Sequence, residues 1–124
     1  LPSTRNREMR HFHGDAVAAE VPLLALDDYC RDQGATPGCL KIDVEGSECL
    51  VLRGARRLLE ESRPAMVIET HGLEIGGIGG SLDELLEILE RHGYRLTDLI
   101  QERSTTAEPY AVRYQKEIGY LLTI

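Results

Sequence analysis

Two short segments of this 124-residue chain concentrate the side chains that can do chemistry. The first is Lys41-Ile42-Asp43-Val44-Glu45-Gly46. Successive residues of a strand point to opposite faces, so Asp43 and Glu45 share one face while Ile42 and Val44 take the other. The pair stands where an apolar alternation gives way to a glycine and a helical pattern. Two carboxylates at such a strand end can coordinate a metal, hold a cationic ligand or serve as a general base. The second segment is Glu69-Thr70-His71, in which Glu69 and His71 also share a face. If the two segments end neighbouring strands, Asp43, Glu45, Glu69 and His71 converge on one crevice. The plainer alternative is a solvated rim with a helix cap and a surface histidine. His11 and His13 form a further pair of potential metal ligands in a polar leading segment. The stretch GLEIGGIGG, residues 72–80, leads into a helix start as a phosphate-binding loop does, but lacks the G-x-x-x-x-G-K-[ST] pattern. It reads better as a flexible lid over the crevice. Arg53, Arg56 and Arg57 read as solvated charge.

The elements that must position these groups follow from periodicity. Residues 21–25 (VPLLA) predict a short or edge strand, with Pro22 near its start. Residues 27–33 predict one or two helical turns, stopped by Gly34 and Pro37. Residues 39–44 alternate as a strand. Ser47 caps a helix expected to run to about Ser62, with Leu50, Val51, Ala55, Leu58 and Leu59 as its apolar stripe. Pro64 ends it, and residues 65–70 predict the next strand. Ser81 and Glu84 form a capping box for a helix carrying Leu82, Leu85, Leu86 and Leu89, terminated near His92 and Gly93. Residues 94–100 read as a strand, 101–117 as a long surface loop containing Pro109, and 118–124 as a final strand. The alternation predicts an α/β fold of right-handed βαβ units: a mostly parallel sheet, helices on both faces, and an antiparallel edge hairpin made by the last two strands. Residues 1–20 read as an irregular leading segment and 21–124 as one folded unit.

Composition narrows the partners. Lys and Arg number 14 against 21 Asp and Glu, a net charge of −7, which argues against nucleic acid and against an anionic membrane surface. No apolar run is long enough to span a bilayer. Cys30, Cys39 and Cys49 are odd in number and form no C-x-x-C pair, so they predict neither a disulfide framework nor a zinc site. Buried small apolar residues are the better reading than a catalytic thiol. A cytoplasmic setting follows.

Five pieces, in order, carry a resemblance: Leu26-Asp27-Asp28-Tyr29; Leu40-Lys41-Ile42-Asp43-Val44-Glu45-Gly46-Ser47-Glu48; Val51-Leu52-Arg53-Gly54-Ala55; Arg63-Pro64; and Val67-Ile68-Glu69-Thr70-His71. Over residues 26–71 the chain resembles the FkbM-type family of S-adenosylmethionine-dependent methyltransferases; from 72 to 124 the likeness is architectural. The resemblance implies a class I, Rossmann-like methyltransferase sheet with an antiparallel strand inserted near one edge. It implies S-adenosyl-L-methionine as cofactor and a small-molecule hydroxyl as acceptor. It places Asp43 and Glu45 beside the methionine end of the cofactor, Glu69 and His71 on the acceptor side, and makes Asp43 or His71 the base. No metal is assigned. The family's D-x-G-rich cofactor loop is not found ahead of Leu26. The expectation is therefore a C-terminal half without the N-terminal cofactor-binding strands, inactive on its own, with a bare apolar strand edge that favours self-association. The alternatives are a non-catalytic binding or scaffold module on the same half-fold, and a metal-dependent hydrolase using Asp43, Glu45, Glu69 and His71.

Overall fold

β-Branched and apolar residues at every second position of Cys39–Ile42 (β1) and Ala65–His71 (β2) make two parallel strands, paired from Cys39 with Ala65 to Ile42 with Ile68. The computed structural model describes residues 19–124. His11 and His13 lie outside the described residues. Three further strands complete the sheet: Leu96–Asp98 (β3), Arg103–Thr105 (β4) and Ile118–Thr123 (β5). The order is β1-β2-β5-β3-β4. β5 runs antiparallel to both β2 and β3, and β4 antiparallel to β3.

The sheet is therefore mixed, not mostly parallel: one of its four pairings is parallel. The last two sequence-predicted strands do pair antiparallel, but not as an edge hairpin. β5 lies inside the sheet, and its nearly continuous apolar sequence suits that place. The edge belongs to β4, whose Arg-Ser-Thr sequence is polar and mostly exposed, as edge strands require.

The expectation of helices on both faces is also corrected. On one face Ile42, Met66, Ile68, Thr70, Leu96, Gly119, Leu121 and Thr123 are buried. On the other, Cys39, Lys41, Ile118 and Tyr120 are exposed, and Val67, Thr97 and Leu122 half-buried. The described helices thus cover one face only. These are Leu26–Gln33 (α1), Glu48–Arg53 (α2), the single turn Ile75–Ile78 (α3), Leu82–Arg91 (α4) and Ala107–Tyr114 (α5). The core joins Leu52, Leu59, Leu85, Leu86 and Leu89 of the helical layer to Met66, Ile68 and Leu121 of the sheet, all essentially inaccessible.

Three local readings change. Residues 21–25 pair with no strand; the backbone at Ala25 instead packs against the turn at Gly54, and Asp27 N–H donates to Gly54 O at 2.8 Å. The helix expected over residues 47–62 breaks after Arg53 and resumes as a widened π-type turn, Leu58–Ser62. The reason is Asp27: its carboxylate takes the N–H groups of Arg57 (2.8 Å) and Leu58 (3.1 Å), starting the helix afresh. Residues 101–117 are not a loop but hold β4 and α5. Pro109 sits in the first turn of α5, where a missing N–H costs nothing. The Ser81 cap is as the sequence predicts, with Ser81 Oγ accepting from Glu84 N–H at 3.0 Å. The Glu84 carboxylate, however, is gripped by Arg53 at two 2.8 Å hydrogen bonds, so Arg53 ties α2 to α4 and is not merely solvated.

Candidate active site at the carboxyl ends of β1 and β2

The parallel register decides which groups meet. Ile42 faces Ile68, so one residue further along, Asp43 and Glu69 emerge side by side. On the other side of β2 the antiparallel register sets Tyr120 directly opposite Glu69. The Tyr120 hydroxyl donates to Glu69 Oε1 at 3.4 Å, and the nearby Glu69 charge raises the Tyr120 pKa. His71 shares the face of Glu69 two residues on. Beyond β1 the chain turns sharply, with Glu45 at φ 52° and Gly46 at φ 103°. A Cβ at Gly46 would stand 2.9 Å from Glu74 Cβ and 3.0 Å from its carbonyl carbon, so only glycine suits both the conformation and the space. The turn delivers Glu48, at the start of α2, to Nδ1 of His71.

His71 is the centre of the arrangement, and only 2% exposed. Its Nδ1 lies 2.6 Å from Glu48 Oε1, which also accepts from Gly46 N–H at 3.0 Å. Its Nε2 faces Glu69 Oε1 at 3.7 Å, Glu45 Oε1 at 3.8 Å and Asp43 Oδ1 at 3.9 Å. Burial alone would lower the proton affinity of the imidazole. The Glu48 hydrogen bond and the charges of Glu48, Glu45 and Glu69 outweigh it and raise His71 above its ordinary 6.5. The second Asp43 oxygen meets Lys41 Nζ at 3.3 Å.

All four sequence-predicted residues, Asp43, Glu45, Glu69 and His71, thus converge. Glu48 and Tyr120 are additions. Glu48 is fully buried and was hidden in the sequence as an ordinary first-turn helix acid. Tyr120 was hidden because its strand was expected at the sheet edge. The glycine stretch does not form a loop over these groups throughout: part of it folds as α3, whose Ile75 is buried in the core. The thiols take no part. Cys30 and Cys49 are buried, burial pushes the Cys49 thiol up, and its Sγ donates to Ser81 O at 3.2 Å; Cys39, expected to be at least half-buried, is exposed.

A buried imidazole with one nitrogen fixed by a carboxylate and the other open to an acidic crevice can take or deliver a proton at a set position. The surrounding carboxylates favour a cationic ligand. Comparison with known proteins gives the class of chemistry. The family model for the methyltransferase FkbM domain matches residues 2–96, a span that includes β1, β2 and every one of the acidic and histidine groups above. No curated protein and no solved structure shows a significant match. A match of that extent, over the residues that build the crevice, makes this chain a member of the FkbM methyltransferase family.

Proposed function

We propose that the chain serves S-adenosylmethionine-dependent O-methylation on a class I, Rossmann-like methyltransferase sheet, with its reacting groups at the carboxyl ends of β1 and β2. The observation that carries the reading is the buried His71, held by Glu48 on one side and facing three carboxylates on the other. The position is the one at which open α/β sheets bind ligands. The donor set fits the cofactor, because a sulfonium is a cation and the crevice is acidic. When bound, the cofactor supplies an electrophilic methyl group. Asp43 and Glu45 supply the counter-charge to it. Glu69 and His71 line the acceptor side, and His71 Nε2, or Asp43, receives the proton that the hydroxyl gives up as its oxygen gains the methyl. Glu48 is a positioning residue: its hydrogen bond to Nδ1 leaves Nε2 directed at the acceptor. Three free thiols support a reducing, cytoplasmic setting. No helix among the described residues is long and apolar enough to cross a membrane.

Calorimetric titration of the full chain with S-adenosylhomocysteine tests the reading. Binding that Asp43→Ala weakens would support the reading and would mean that the crevice holds the cofactor without the family's D-x-G-rich loop. A folded sample that binds none would remove the cofactor from these residues and leave the family membership standing.

A further inference from the structure

The same crevice holds a second, separable property. Asp43, Glu69 and His71 each offer one ligand atom, and these atoms lie within 4.8 Å of one another. Acidic residues gathered at a strand end are common and mean little alone. Two other observations give this set its meaning. The first is His71 Nε2: the residue is 2% exposed, and among the described residues this nitrogen makes no hydrogen bond. It points at carboxylate oxygens 3.7–3.9 Å away, too far for hydrogen bonds. Ligand atoms around a divalent ion, each about 2.0–2.2 Å from it, stand about 3.0–3.6 Å apart. The two gaps from Nε2 therefore close on an ion with movements of a few tenths of an ångström, and the Asp43 and Glu69 oxygens, held within 4.8 Å of each other, draw together by up to about an ångström. The second is Glu48. It is fully buried, holds His71 Nδ1 through Oε1, and leaves Oε2 without a hydrogen-bond partner. A histidine that binds metal through one nitrogen characteristically donates the other N–H to a carboxylate, which fixes the tautomer and turns the lone pair toward the ion.

We propose that Asp43 Oδ1, Glu69 Oε1 and His71 Nε2 bind one divalent first-row transition ion, with Glu48 as the outer carboxylate that orients His71. Two carboxylate oxygens and one imidazole nitrogen suit Zn²⁺ or Mn²⁺ better than Mg²⁺ or Ca²⁺, which prefer all-oxygen sites. Asp43 and Glu69 remain partly exposed, at 34% and 19% of their side chains, so the remaining coordination positions open to solvent. The binding proposal rests on this geometry and is read without cofactor or acceptor; an ion held by His71 Nε2 occupies the lone pair, so with it in place the proton of the proposed methyl transfer falls to Asp43 and not to His71.

The test is a calorimetric titration of the metal-free full chain with Zn²⁺, Mn²⁺ and Mg²⁺ in turn, at about pH 8 so that imidazole competes little with protons. One site per chain is expected, with Mg²⁺ binding at least about tenfold more weakly. Glu69→Gln should weaken Zn²⁺ by more than about tenfold, and Glu48→Gln by about 10–100-fold, with far-ultraviolet circular dichroism unchanged. Substoichiometric Mn²⁺ should broaden the ring resonances of His71 before those of His92. Absence of Zn²⁺ and Mn²⁺ binding would overturn the proposal. So would binding that survives both variants undiminished, or broadening confined to another histidine.

Discussion

At the scale of the residue, the crevice depends on a few side chains that are not interchangeable with their neighbours. Glu48 is one. Its carboxylate satisfies a buried imidazole N–H and the Gly46 N–H at once. Glu48→Ala should therefore lower stability by about 1–3 kcal/mol, because it strands a buried donor. Glu48→Gln, which keeps the shape and one acceptor, should cost less; equal losses in urea unfolding would contradict the pairing. Gly46 is another. Its positive φ and the 2.9 Å approach of Glu74 forbid a side chain, so Gly46→Ala should be strongly destabilising and should disturb the placement of Glu48. Much of this was legible in the sequence. D-x-E and E-x-H spacings fix which side chains share a face, and two strand ends suffice to bring Asp43, Glu45, Glu69 and His71 together. Glu48 was not legible, since an acid in the first turn of a helix is ordinary and only the tertiary turn at Gly46 brings it to Nδ1 of His71.

At the scale of the element, contacts between distant segments decided what local pattern left open. The helix expected across residues 47–62 carries a proper apolar stripe, yet the Asp27 carboxylate captures the amides of Arg57 and Leu58 and breaks it. Asp27→Ala should cost about 1–2 kcal/mol, as loss of a helix cap does, and thermal unfolding reads it directly. The polar composition of residues 101–117 and Pro109 within them suggest a loop. In the first helical turn a proline breaks nothing, and Tyr110, Ala111 and Tyr114 then form the buried stripe of α5. The seat of α5 on the sheet is Gly119. A Cβ there would stand 2.3 Å from the Tyr110 hydroxyl and 2.7 Å from Thr70 Oγ1, which are hydrogen-bonded to each other at 2.9 Å. Gly119→Ala should destabilise by about 2–3 kcal/mol through overpacking and loss of that bond. A neutral result would mean that α5 does not sit so close. No local sequence signal gives such an approach, because glycine in a strand looks the same whether it faces solvent or a tyrosine.

At the scale of the whole molecule, the described helices cover one face of the sheet, and β1 has a neighbour on one side only among the described residues. The expectation of association through that edge stands as a proposal. Sedimentation velocity over a concentration series should show self-association, and a Pro in place of Lys41, whose amide faces the free edge while Gly38 O bonds Ala65 N–H of β2, should suppress it if the outer amides are what pair. The insertion of β5 between β2 and β3 is a long-range choice that periodicity does not encode; only the family resemblance carried the expectation of an antiparallel strand inserted near one edge. The acidic crevice, by contrast, follows from two strand ends and a parallel register.

We propose that this crevice receives a sulfonium beside Asp43. S-adenosylmethionine carries that positive charge and S-adenosylhomocysteine does not, so the affinity ratio of the two isolates the charge from the rest of the ligand. The chain is expected to prefer S-adenosylmethionine, and Asp43→Asn to reduce the preference by about tenfold, or about 1.4 kcal/mol. A ratio that Asp43→Asn leaves unchanged would contradict it.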